Sequence, residues 1–185
     1  MSGNLLVGTL PTFPLLSPLI TLDVSSNQIV GPIPTLPYYL QFLDLSRNNL
    51  SGTLPSDIGA PMLEVLLLFN NSFSGTIPCS MLQLQQLKFL DLSKNLLDGR
   101  LPSCSRGFDT STITLLKLNN NHILGAFPLF LQKCRELKLL DLAYNKFSGS
   151  LPTWIESKLP QLALLNLRSN MFSGGIPDQL TRMKG

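Results

Sequence analysis

Apolar and polar positions alternate along this chain in a phrase that keeps returning. In the stretch from Leu87 to Pro102, Leu90 and Leu92 flank Asp91, the period of two that marks a short strand with one buried face. Three residues after Leu92 stands Asn95. An apolar residue (Leu97) follows at two positions, a glycine (Gly99) at two more, then Leu101 and Pro102. The phrase is anchored by Asn4, Asn27, Asn48, Asn71, Asn95, Asn121, Asn145 and Asn170, at spacings of 23, 21, 23, 24, 26, 24 and 25 residues. Each unit predicts one strand, a turn at the asparagine, an extended return segment, and a short helical or 3-10 turn before the next strand.

Every unit enters its strand in the same direction, so neighbouring strands pair in parallel. Leu87, Leu90 and Leu92, and their counterparts, face one shared interior. Strands pack ~4.8 Å apart while the return segments are bulkier, so the stack curves with its sheet on the concave side. The period and framework resemble the leucine-rich repeat. The expected fold is an α/β repeat solenoid, a curved horseshoe with a parallel concave sheet and short helical or 3-10 convex turns. Residues 1–185 read as a single array of about seven full repeats, partial and uncapped at both ends. Met1 stands three positions before Asn4 and falls in a core column. Leu180 and Met183 open a further repeat that Gly185 cuts short. The expectation is an interior piece of a longer protein, or a truncated gene product without function.

The asparagine column (Asn27, Asn48, Asn71, Asn95, Asn121, Asn145, Asn170) has a structural task. Where the chain leaves the sheet, backbone groups lose their ladder partners, and a buried amide offers two donors and an acceptor. The amides are expected to stack as a ladder, each worth ~1–3 kcal/mol through the groups its loss would strand.

Composition narrows the function. Apolar residues make up 44% of the chain and charged residues 14%. The net charge of +3 is scattered, which gives nucleic acid no footprint. No apolar run approaches the ~20 residues of a membrane span, and no signal peptide opens the chain. Cys79, Cys104 and Cys134 are an odd number. Buried, unpaired thiols are the expectation, with a bridge between Cys79 and Cys104 in adjacent repeats as the alternative. No enzyme is expected. His122, the single histidine, sits in a turn with no oriented nucleophile. Trp154 reads as convex packing. The concave aspartates lie in a row instead of converging as a cation cage requires. No metal or cofactor is expected.

The Leu-x-Gly-x-Ile-Pro extension resembles the plant-specific class of leucine-rich repeats, found in receptor-like kinases, receptor-like proteins and polygalacturonase inhibitors. LDLSRN (Leu43 to Asn48), LDLSKN (Leu90 to Asn95) and LNLRSNMFSGGIPDQL (Leu165 to Leu180) are similar to receptor-like proteins related to xylanase-elicitor receptors. The resemblance implies an extracellular domain on the plasma membrane that binds a protein or peptide ligand, with a co-receptor, in immune or developmental signalling. A secreted inhibitor of a cell-wall-degrading enzyme is the alternative. The sequons Asn49-Leu50-Ser51 and Asn70-Asn71-Ser72 agree with N-glycosylation in a secreted parent.

Candidate ligand contacts are departures from the Asp and Ser default of the concave face. Leu67 and Phe69 make an apolar break. Lys117, Asn119, Asn120, Tyr144 and Arg168 make a polar-to-basic zone, in which Arg and Tyr are favoured contact residues.

Overall fold

The structure is a computed structural model, which describes residues 1–104 and 111–182. Seven three-residue strands, Thr21–Asp23, Phe42–Asp44, Val65–Leu67, Phe89–Asp91, Leu115–Lys117, Leu139–Asp141 and Leu164–Asn166, form one parallel sheet in sequence order. The period of two is read out directly. Leu43, Leu66, Leu90, Leu116 and Leu140, the middle residues of the five inner strands, are fully buried, as are Leu45, Leu68, Leu92, Leu118 and Leu142 two positions on. Their neighbours point away from the interior. One continuous apolar core follows from stacking these columns.

The extended return segments do more than the alternation suggests: they build a second parallel sheet. Val7–Thr9, Gln28–Gly31, Asn49–Thr53, Ser72–Gly75 and Leu96–Leu97 pair in sequence order, and Leu124–Gly125, Lys146–Gly149 and Met171–Phe172 pair in a second group. The apolar residue two positions after each inner asparagine anchors this layer: Ile29, Leu50, Phe73, Leu97, Ile123 and Phe147 are all buried. Between the two groups pairing shrinks to a single bridge, Arg100 to Leu124. That break falls in the longest asparagine spacing, 26 residues. The glycine column belongs to the same layer. Gly99 has φ +67°, and a Cβ there would lie 2.7 Å from the Thr76 methyl, so a side chain is excluded both by conformation and by space.

Convex turns are single helical turns: α-helices at Cys79–Leu82 and Ile155–Lys158, 3-10 helices at Leu129–Lys133 and Asp178–Arg182. Pro78 and Pro128 hold extended backbone immediately before two of them, ending the return segment where no N–H is needed. Trp154 packs edge-on against Phe127 at 5.6 Å, on the core side of its turn.

Two expectations are corrected. Cys79 and Cys104 are joined in a disulfide, with Cα atoms 5.5 Å apart, instead of standing as free thiols. Adjacent coils place them within bridging reach, so the odd count reflects one pair and one leftover. The leftover, Cys134, is fully buried, and burial pushes its thiol up to about 11. Met1 occupies its column through its backbone, and its carbonyl accepts from the amides of Asn4 and Asn27. Its side chain, however, is 80% exposed, because an edge coil has a neighbour on one side only. Leu180 packs against the core from the last 3-10 turn. Met183 and Gly185 lie outside the described residues.

Candidate functional site

Each inner asparagine ties two coils together through backbone groups, not through stacked amides. The Asn48 amide nitrogen donates to Val24 O (3.0 Å) in the preceding coil and to Leu45 O (3.1 Å) in its own, while its oxygen accepts from Ile29 N (3.0 Å). Leu45 O then accepts a second bond, from Asn71 (3.0 Å). Asn95, Asn121, Asn145 and Asn170 repeat the arrangement, with cross-coil donations to Leu68, Leu92, Leu118 and Leu142. The carbonyl of the last framework leucine is thus the rung shared by two asparagines.

The residue before each of these asparagines is left-handed: Ser26, Arg47, Asn70, Lys94, Asn120, Tyr144 and Ser169 all have φ between +53° and +58°. A tyrosine or lysine pays about 1–2 kcal/mol for that region, whereas asparagine enters it readily. No alternation of apolar residues reveals this strain. It follows from the tight exit off the strand.

The aspartate column also has a role in this exit. Asp23, Asp44, Asp91 and Asp141 each accept, through one carboxylate oxygen, the N–H of the residue two positions on, at 2.9–3.0 Å. Asn166 does the same for Arg168 at 3.3 Å. These are Asx turns. Ser25 and Ser93 add hydroxyl bonds of 2.7 and 2.6 Å to the same oxygens. For Asp23, the Ser25 hydroxyl and then its N–H hold the carboxyl below its usual range. Asp-x-Ser is therefore a turn device. The signal that could have found it is the i, i+2 spacing of Asp and Ser.

Two strands lack the device, and their coils carry Leu67, Phe69, Lys117, Asn119 and Asn120, whereas Tyr144 and Arg168 sit on coils that keep it. Leu67 pairs in register between Asp44 and Asp91. Phe69, half-buried, has the Arg47 guanidinium 5.5 Å from its ring centroid. Its neighbours in the column, Ser46 and Ser93, are buried. Lys117 pairs in register between Asp91 and Asp141, with its ammonium 4.0 Å from an Asp91 oxygen. Its charge is therefore partly balanced within the sheet. Asn119 has no carboxylate behind it, and its buried Oδ1 has no hydrogen-bond partner among the described residues. Asn120 follows in the left-handed turn. Tyr144 is exposed, with the Arg168 guanidinium 5.5 Å from its ring centroid. The structure thus joins Tyr144 to Arg168 and Lys117 to Asp91, and leaves the buried Oδ1 of Asn119 without a partner among the described residues.

One apolar feature escaped the reading of the sequence. Phe42, Val65, Phe89, Leu115, Leu139 and Leu164 occupy the first position of consecutive strands and pair in register as one row. Each precedes a buried leucine or its counterpart, so the row lies on the outward side of the sheet. Of the two sequons, Asn49 is exposed on the second sheet and Asn70 is exposed in the concave turn beside Phe69. His122 is exposed, its N–H bonded to Leu97 O at 2.8 Å. Among the described residues no group of His, Cys, Asp and Glu could hold a metal ion, and no helix is long and apolar enough to cross a membrane.

The Leucine Rich Repeat family model matches residues 39–60, 62–84, 86–108, 136–157 and 161–183. No curated protein matches the chain. Among solved structures, a plant peptide hormone receptor, RGFR1 in complex with RGF2, is 34% identical with a TM-score of 0.85, covering 96% of this chain and 29% of its own. The Arabidopsis receptor kinase HAESA, in complex with the peptide hormone IDA and the co-receptor SERK1, is 37% identical with a TM-score of 0.83, over 96% of this chain and 30% of its own. A plant ice-binding protein is 30% identical with a TM-score of 0.73, over 93% and 56%. The chain therefore spans less than a third of the two receptors' length.

Proposed function

Because the chain belongs to the leucine-rich repeat family and has the fold of plant receptor ectodomains of that family, we propose that it recognises a peptide or protein ligand on its concave face. The observation that carries this reading is the turn at Lys117. There the coil gives up the Asx bond and leaves the Asn119 oxygen buried and unpaired. A buried acceptor without a partner costs about 1–3 kcal/mol, so this coil gives up stability at a turn that Asp and Ser close in other coils. Lys117, Asn120, Tyr144 and Arg168 add a cation, an amide and an aromatic–cation pair on this coil and the next two. Leu67 and Phe69 form the apolar contact two coils before Lys117.

The parent is a plasma-membrane receptor with the array on its extracellular side, signalling in immunity or development with a co-receptor. Asn49 carries an N-glycan there. Asn70 carries one only if the ligand leaves Phe69 free. The secreted-inhibitor reading uses the same face, and the full open reading frame separates the two. An apolar segment of ~20 residues downstream marks the receptor; a stop shortly after the array, without such a segment, marks the inhibitor.

The direct test uses peptides selected from a random 12-residue display library against this chain. The variant Lys117→Glu/Arg168→Glu is expected to weaken the selected peptides at least tenfold while still melting in one cooperative transition, slightly lowered by the carboxylates of Asp91 and Asp141 beside position 117. Equal affinity for the variant contradicts the reading.

A further inference from the structure

We propose that the convex side of this chain binds a small amphiphilic amine, with its ammonium group at Asp57 and its apolar body against Tyr38. The site is separate from the concave face and does not depend on the ligand read there.

Repeat length creates the space. The asparagine spacings of 23, 21 and 23 residues at the start of the chain are the three shortest of the seven. Each proline stands seven residues after its asparagine throughout, so the missing residues fall in the convex segment. Among the described residues no helical turn precedes Cys79–Leu82. A groove of about 380 Å³ opens across the coils that lack one and ends against that helix. Leu15, Tyr38, Ile58, Pro61 and Leu84, drawn from four successive coils, give it apolar walls. Bonds from Tyr38 N to Leu15 O (2.8 Å) and from Leu36 N to Ile58 O (3.0 Å) hold the turns in line. A cavity of ~150 Å³ holds benzene, so this groove admits a ligand of about 15 non-hydrogen atoms.

Among the described residues, Asp57 is the one charged side chain in the lining. One of its oxygens accepts the Gly59 N–H at 2.9 Å, which fixes the carboxylate and leaves the second oxygen without a partner among the described residues. Gly59 has φ +76°, and a Cβ there would lie 2.6 Å from the Thr35 methyl, so the turn that presents Asp57 is drawn tightly onto the coil before it. Tyr38 is held edge-on by Tyr39, with ring centroids 5.2 Å apart, and keeps an exposed face.

Charge selects the ligand. Before Lys88 the chain carries Asp23, Asp44, Asp57 and Glu64 against a single basic side chain, Arg47. Arg47 lies in a concave turn, with its guanidinium over Phe69. Lys88, the next cation, is paired with Glu64 at 2.6 Å. Asp57 is therefore left to a cation from outside, and an aromatic face beside a carboxylate favours one further. A sugar fits less well, since it needs several convergent polar groups, and the Ser80 hydroxyl already donates to Ser56 O.

The test is titration calorimetry of this chain with tryptamine, against N-acetyltryptamine as the uncharged control. Tryptamine is expected to bind saturably with a Kd of about 1 mM or tighter, the range for a ligand of about a dozen non-hydrogen atoms. N-acetyltryptamine is expected to bind at least tenfold more weakly. Asp57→Asn keeps an oxygen for the Gly59 N–H and is expected to lose at least tenfold in affinity for tryptamine while still melting cooperatively. Should that variant not fold, Leu15→Arg, at a position 57% exposed, brings a cation of the chain's own to the groove and is expected to cause the same loss. Absence of saturable binding, equal binding of the uncharged control, or undiminished binding to the folded groove variant overturns the inference. In the last case the amine sits elsewhere, as on the concave aspartates.

Discussion

The coils anchored by Asn48 and by Asn121 share a framework and differ in what they spend it on. In the first, Asp44 accepts the Ser46 N–H, Asn48 bonds into the coil before it, and the return strand Asn49–Thr53 pairs on both sides. In the second, Asn121 makes the same cross-coil bonds, but Lys117 replaces the turn carboxylate and the buried Asn119 oxygen has no partner among the described residues. The second sheet narrows to one bridge there, and a disulfide spans the coil boundary. The family model's matched stretches also leave out residues 109–135. The asparagine column is therefore the shared frame, and the strand–turn positions vary freely upon it. A plant ice-binding protein has the same fold as the hormone receptors, so the frame alone does not assign a function.

The contrast can be broken most severely at the disulfide. Cys79→Ala/Cys104→Ala removes a link across 25 residues, and a loss of about 3 kcal/mol is expected from chemical denaturation. The irregular coil should open first by hydrogen exchange. A uniform loss along the chain would show that the bridge does not substitute locally for the missing sheet. Next comes the frame itself. Asn48→Ala strands groups in two coils and should cost about 1–3 kcal/mol. Asn4→Ala should cost under about 0.5 kcal/mol, as Asn4 bonds to Met1 and Ser2 in its own exposed coil. Equal losses would remove the cross-coil explanation.

Backbone strain gives a smaller, two-sided comparison. Lys94→Gly relieves a left-handed lysine and should stabilise by about 0.5–1 kcal/mol. Asn120→Gly should be near neutral, since asparagine already tolerates that conformation. The least effect is expected from acid. Asp23 has its carboxyl held low by Ser25, so it adds stability above its ordinary pKa of about 3.9, which is lost as pH falls through the lowered folded value. Asp23→Asn should flatten the fall in melting temperature below pH 4. An unchanged slope would mean that the Ser25 bonds persist with the protonated acid.

The frame was legible because its determinants are local and repeated. Leu90 beside Leu92, then Asn95 and Gly99, fixes strand, turn and return in one phrase. The second sheet was less legible. Its pairing follows from the distance between stacked return segments, which no single repeat contains. The Cys79–Cys104 bond was half legible: adjacent repeats offered it as the alternative to free thiols, and the phasing of the two convex turns decides for it. Lys117 and Asn119 stood out as departures, yet their meaning required knowing that Asp and Ser close the turn elsewhere. The row of Phe42, Val65 and Phe89 was hidden by its own plausibility: aromatic and β-branched residues suit any strand, and only the register shows them outward and aligned.

The most direct measurement is on Lys117→Asn/Asn119→Ser, which writes the regular turn, in the uncharged form of Asn166, into the irregular coil. The account predicts a stability gain of about 0.5–1.5 kcal/mol from the restored Asx bond, together with at least a tenfold loss in affinity for the selected peptides. A variant equally stable and equally able to bind would contradict it.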